Sequence, residues 1–159
     1  MVHPLEAKER SKNPCHIKGH WIVELFDENG KLKDFREGHN VICTNGLEAF
    51  ANFLASSVAS GVTFPWTRIA IGSDATAEAA SNTALGTELS RTTGVASYLS
   101  GAIYQVKATF ATGSGTGAIA EYGLFNTSTG GDMLARDTES VVNKAAGDTL
   151  VVTHQLTFS

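Results

Sequence analysis

Between Tyr104 and Phe110 the chain alternates without a break: Tyr104, Val106, Ala108 and Phe110 fall on one face, and Gln105, Lys107 and Thr109 on the other. Only an extended strand with one buried and one wet face sorts residues in this way. The run predicts a strand within Tyr98–Thr112, turned by Gly113-Ser114-Gly115-Thr116-Gly117. Shorter apolar runs recur along the chain. Trp21, Val23 and Leu25 alternate with Ile22, Glu24 and Phe26 up to Asp27-Glu28-Asn29-Gly30. Further strands are expected at Trp66–Gly72, Ala118–Asn126, Met133–Arg136 and Thr149–Phe158, the last with Leu150, Val152, Leu156 and Phe158 inward and His154 among them. Many short strands between Gly-rich turns predict a mainly β fold, an antiparallel β-sandwich of jelly-roll-like type.

One helix interrupts the strands. Asn45 and Glu48 resemble a capping box, and Leu47, Phe50, Phe53 and Leu54 recur at helical spacing behind them. A Ser/Gly-rich link to Gly61 follows, and Ser73–Thr83 reads as an Ala-rich loop or weak helix. Residues 1–17 carry Pro4, Pro14 and mixed charges with no apolar period, which predicts an extended N-terminal arm. Residues 18–159 are then a single domain, since 159 residues are too few for two separate cores.

Composition narrows the function. Twelve Lys and Arg against sixteen Asp and Glu give a net charge of −4, without the basic excess that grips phosphate backbones, so nucleic acid is not an expected partner. Apolar stretches are too short for a membrane helix, and the charged N-terminus lacks the apolar core of a secretory signal. Cys15 and Cys43 are read as thiols of a chain made in reducing cytoplasm.

No cofactor or metal is expected. Cys15, His16, His20, His39 and Cys43 are the residue types zinc prefers, but a three-residue turn pairing Asp27 with Lys31 sets Val23 opposite Phe35. That register puts His20 and His39 on opposite faces. The strand from Lys31 towards Cys43 is expected to weaken at Gly38. The glycine loop at Gly113–Gly117 lacks the Lys-Ser/Thr and helix of a phosphate-binding loop, and there is no Gly-x-Ser-x-Gly elbow, so no catalytic residue is assigned. Trp66, Tyr98 and Tyr104 are candidates for stacking on sugar. Arg91 and Glu121 stand out as charges in neutral strands: a structural ion pair between them would satisfy both, and two separate surface charges on edge strands are the alternative.

The order of His39-Asn40-Val41-Ile42, Asn45-Gly46-Leu47, Ile69-Ala70-Ile71-Gly72, Leu85-Gly86-Thr87-Glu88-Leu89-Ser90-Arg91, Ile119-Ala120-Glu121-Tyr122-Gly123-Leu124-Phe125 and Gly130-Gly131-Asp132-Met133-Leu134-Ala135-Arg136 resembles tailed-bacteriophage virion proteins of the β-sandwich type over Gly19–Phe158. The resemblance implies a non-enzymatic structural protein of the virion. The absence of a fibre-shaft repeat favours a capsid decoration, or cement, protein on the outer shell over a tail-fibre or tail-tip receptor-binding module. Its implied partners are the major capsid protein and neighbouring copies of itself in a homo-oligomer, reached through Leu5, Lys8, Arg10 and Lys12 of the arm.

Overall fold

The computed structural model describes residues 16–55 and 65–159. Leu5, Lys8, Arg10, Lys12 and Cys15 lie outside the described residues, as does the link after the helix. Of the arm expected over residues 1–17, Ile17 already belongs to the first strand.

Among the described residues there are nine strands and one helix: β1 (Ile17–Phe26), β2 (Leu32–Ile42), α1 (Thr44–Ala55), β3 (Arg68–Gly72), β4 (Glu88–Thr93), β5 (Val95–Leu99), β6 (Ile103–Phe110), β7 (Gly117–Phe125), β8 (Met133–Lys144) and β9 (Thr149–Phe158). The strands expected as two layers of a jelly-roll-like sandwich form one antiparallel sheet instead, in the order β4-β3-β7-β8-β2-β1-β9-β6-β5. Its two ends are β4 and β5, which are consecutive in sequence with only Gly94 between them. The first half of this bent segment pairs with β3 and the second with β6, so the sheet curls into a nearly closed barrel.

The run expected as one strand over Tyr98–Thr112 is divided by a hairpin turn, where Gly101 and Ala102 both take positive φ. Tyr98 opposes Tyr104 across it. The split reflects the preference of a tight turn for residues tolerating left-handed backbone. Within β6 the alternation holds, with Val106, Ala108 and Phe110 buried. Trp21, Val23 and Leu25 meet them from β1, and Leu150, Val152 and Leu156 from β9.

At the first hairpin the turn is as expected: the Asp27 N–H donates to the Lys31 carbonyl at 2.9 Å, and Gly30 takes φ 78°. The register beyond it differs. Phe26 opposes Leu32 but Leu25 opposes Asp34, so Lys33 is a bulged extra residue whose ammonium reaches Asp148 at 2.7 Å. Val23 therefore faces Arg36 rather than Phe35, and His20 faces His39 directly. The placement of these histidines on opposite faces is thus corrected by one bulge, because a one-residue shift turns every side chain over. β2 also runs unbroken through Gly38, where a Cβ would collide with the Glu139 carboxylate.

Closure depends on close approach at the bend. The Gly94 N–H donates to the Thr67 carbonyl at 2.7 Å, and a Cβ there would lie 2.6 Å from Val106 Cγ1 and 3.0 Å from the Lys107 carbonyl oxygen. Gly94→Ala is expected to cost about 1–3 kcal/mol through this overpacking. Urea unfolding checks it, and a neutral variant would show that the bend relaxes freely.

Candidate functional site

Three arrangements concentrate the polar and exposed chemistry of the described residues. The first is centred on Glu121. Its carboxylate is fully buried, and Oε2 accepts from Arg136 Nε at 3.2 Å, Arg136 Nη2 at 2.9 Å and the Gly86 N–H at 2.8 Å. Oε1 accepts from the N–H groups of Thr87 at 2.7 Å and Asp74 at 3.3 Å. Arg136 also donates to Asn82 Oδ1 at 3.1 Å. These contacts pin residues 73–87, an irregular loop, across the outer face of β3, β7 and β8. Beneath it Leu85 joins Cys43, Ala70, Phe125 and Met133 in a second small core. Cys43 there is a free thiol that burial pushes up to about 11, so it is inert at neutral pH.

Arg91 and Glu121, expected as partners, are separated by β3: Arg91 opposes Ala70 on one side of it, and Glu121 opposes Gly72 on the other. Two strand spacings, about 9.5 Å, exceed the reach of an ion pair. Arg91 instead bonds Glu88 at 2.6 Å, donates to the carbonyls of Thr127 and Gly130, and lays its guanidinium 3.6 Å over the Phe125 ring. Both residues keep a structural setting, with different partners. Glu121's partner is Arg136, which lies within β8, a strand that runs to Lys144 rather than ending at Arg136 as its sequence pattern predicts.

The second arrangement lies inside the barrel. β2 and β8 pair only at Val41–Arg136 and Ile42–Ala135, and beyond that they diverge. Arg36 bridges the gap to the Ser140 hydroxyl at 3.3 Å and pairs with Asp34. Asp137 is 1% exposed, opposite Tyr122 on β7. Next to Tyr122 come Trp21, at 6.1 Å between ring centres, and His154, at 4.3 Å from Trp21. Tyr122 Oη, Trp21 Nε1, Asp137 Oδ2 and both His154 ring nitrogens have no hydrogen-bond partner among the described residues. Burial, reinforced by Glu139 and Glu78, pushes Asp137 up to about 7. Burial pushes His154 down to about 3, so it is neutral. Polar atoms enclosed this way demand compensation. The alternation of β9 marked His154 as inward, but nothing local marked Asp137.

The third is an apolar groove of about 360 Å³ at the barrel end, lined by Ile17, Leu47, Phe50, Trp66, Tyr104 and Phe158 among others. α1 lies at this end, but the expected stripe is only partly turned inward: Ala49 is buried and Phe50 half-buried, while Leu47, Phe53 and Leu54 are exposed, and α1 begins at Thr44 with Asn45 reaching Asp132 Oδ1 at 3.1 Å rather than capping. Trp66 is buried and the Tyr104 hydroxyl donates to the Trp66 carbonyl at 2.6 Å, so neither is a free stacking platform. Tyr98 is 78% exposed and Leu54 69%. No helix of the described residues is long and apolar enough to cross a membrane.

No protein-family model, curated protein or solved structure matches the chain.

Two outcomes test these assignments. Removing either member of the Glu121–Arg136 pair strands the other charge in the interior, so Glu121→Ala and Arg136→Ala should each cost about 3–5 kcal/mol. In a double-mutant cycle by denaturant unfolding this pair should couple strongly, whereas Arg91→Ala and Glu121→Ala should add. Asp137 has a folded-state value raised above its unfolded 3.8, so the stability it contributes is full below that value and is lost as pH rises through about 7. His154 runs oppositely: its contribution is present above its unfolded 6.5 and is lost as pH falls towards 3. Asp137→Asn should therefore gain on the unsubstituted protein as pH rises from 4 to 8, read from urea midpoints. A constant difference would mean that Asp137 titrates as an ordinary carboxylate.

Proposed function

We propose that this chain is a non-enzymatic structural protein of a tailed-phage virion, a decoration protein that binds the outside of the major capsid protein shell and stabilises it. The observation that carries the reading is the end of the barrel around the groove. Leu47 and Ile17, the first residue of β1, both line the groove, and Leu54 further along α1 and Tyr98 on β5 are exposed apolar side chains. An apolar surface beside the start of β1 suits a protein that lies across capsomer joints. In this reading the diverging halves of the sheet act as a sandwich-like module, residues 1–15 are the arm, and Leu5, Lys8, Arg10 and Lys12 make its contacts. Many copies, each burying a modest area, strengthen a shell by summed contacts without chemistry.

The same surface would serve a tail-fibre or tail-tip protein, and copy number separates the two. Quantitative mass spectrometry of purified virions should find hundreds of copies per particle, and a handful would move the protein to the tail. Binding to emptied shells should fall on deletion of residues 1–15 and with Leu54→Asp, whose exposed position leaves folding intact. Undiminished binding by both variants would remove this end of the barrel from the interface.

A further inference from the structure

The bulge at Lys33 has brought together side chains on the wet face of the barrel. Four strand pairings place Ser97, Gln105, Gln155, His20 and His39 in one row across β5, β6, β9, β1 and β2. On one side the row is tied by hydrogen bonds, Gln155 Nε2 to Gln105 Oε1 at 2.8 Å and Gln105 Nε2 to Ser97 Oγ at 3.4 Å. At the other end two imidazoles meet edge on, their planes at 64° and their ring centres 5.6 Å apart. Glu37, two residues before His39 and so on the same face, brings Oε2 to 3.8 Å from His20 Nε2.

We propose that His20, His39 and Glu37 form a binding site for a borderline divalent transition cation of the zinc type. Three observations support it. A zinc ion about 2.0–2.1 Å from each Nε2 places the centres of two tetrahedrally disposed rings about 5–5.5 Å apart, close to the spacing seen. The His39 Nδ1 lies 3.4 Å from the Gly19 carbonyl, and donation of its N–H there leaves Nε2 with the lone pair a metal needs. Such a bond from the second ring nitrogen to a backbone carbonyl is the usual support of a metal-bound histidine. His20 Nε2, shielded from solvent, has no hydrogen-bond partner among the described residues and faces the carboxylate. As the side chains stand, no group of three His, Cys, Asp or Glu among the described residues is arranged to hold a metal ion. Binding therefore requires side-chain rotation, for which Glu37, 59% exposed, has room. Two nitrogens and one carboxylate oxygen leave a fourth position open to water or to a carboxylate of a partner.

Calorimetric titration of the full chain with zinc chloride tests the site, with magnesium chloride as the control. One zinc per chain is expected, weakened at least about tenfold by His20→Gln and by His39→Gln and less by Glu37→Gln, with no saturable magnesium binding. Thermal unfolding without zinc should be the same in all variants, since the three side chains lie on the barrel's outer face. Absence of saturable zinc binding overturns the proposal. So does affinity unchanged in both histidine variants, which would place the ion elsewhere on the chain, or magnesium binding equal to zinc.

Discussion

The Glu121–Arg136 pair is the constraint on which the arrangement of this barrel depends. A carboxylate with no solvent exposure is tolerated only when its lone pairs are occupied, and here a guanidinium and three backbone N–H groups occupy them. Because those N–H groups belong to Asp74, Gly86 and Thr87, satisfying one charge orders an entire loop. The loop's own bonds are local, such as the Thr76 N–H to Asp74 Oδ1 and the Ala79 N–H to Asn82 Oδ1, together with the Ser73 N–H to the Thr87 carbonyl where its ends meet. The glycines follow from this: at Gly72 a Cβ would strike the carboxylate, and at Gly86 it would strike Asp74. The second core, with Cys43, Phe125 and Met133, is dry because this polar lid is closed.

The barrel's two seams contrast. At Gly94 the sheet closes by bending one strand, a solution that needs a missing side chain and little else. Between β2 and β8 it closes by two residue pairs, and the rest of that junction is filled by Asp34, Arg36, Asp137, Glu139 and Ser140. The interior is therefore graded, hydrocarbon towards β6 and, His154 apart, β9, and polar towards β8. Trp21 and Tyr122, each an apolar body with one polar atom, sit where the grades meet.

Where one face is dry and one wet, residue order alone locates the element, and so β1, β6 and β9, the turn at Gly30 and the inward His154 were legible. Faces buried on both sides carry no alternation. β7 is buried from Ile119 to Phe125, so its run could not tell that Tyr122 points into the barrel and Glu121 out beneath the loop. The bulge at Lys33 left no compositional mark, yet it decided whether His20 and His39 could meet. Arg91 and Glu121 stand out in the sequence as charges among neutral residues. Choosing their partners required knowing that β3 inserts between β4 and β7, a non-local fact of strand order.

The weak seam also determines how this sheet can meet another chain. At the ends of the sheet the bent β4–β5 segment is paired on one side along each of its halves, so the free edges there are short and interrupted by the bend at Gly94. Below Val41 and Ile42, β2 turns one row of backbone amides and carbonyls towards β8 without ladder pairing to it. Among the described residues this is the interior position in the sheet order where an added strand would find an unoccupied register. The charges lining it, rather than any covering element, are what an incoming apolar strand would have to displace, so the polar junction acts as the molecule's guard against pairing with its own kind.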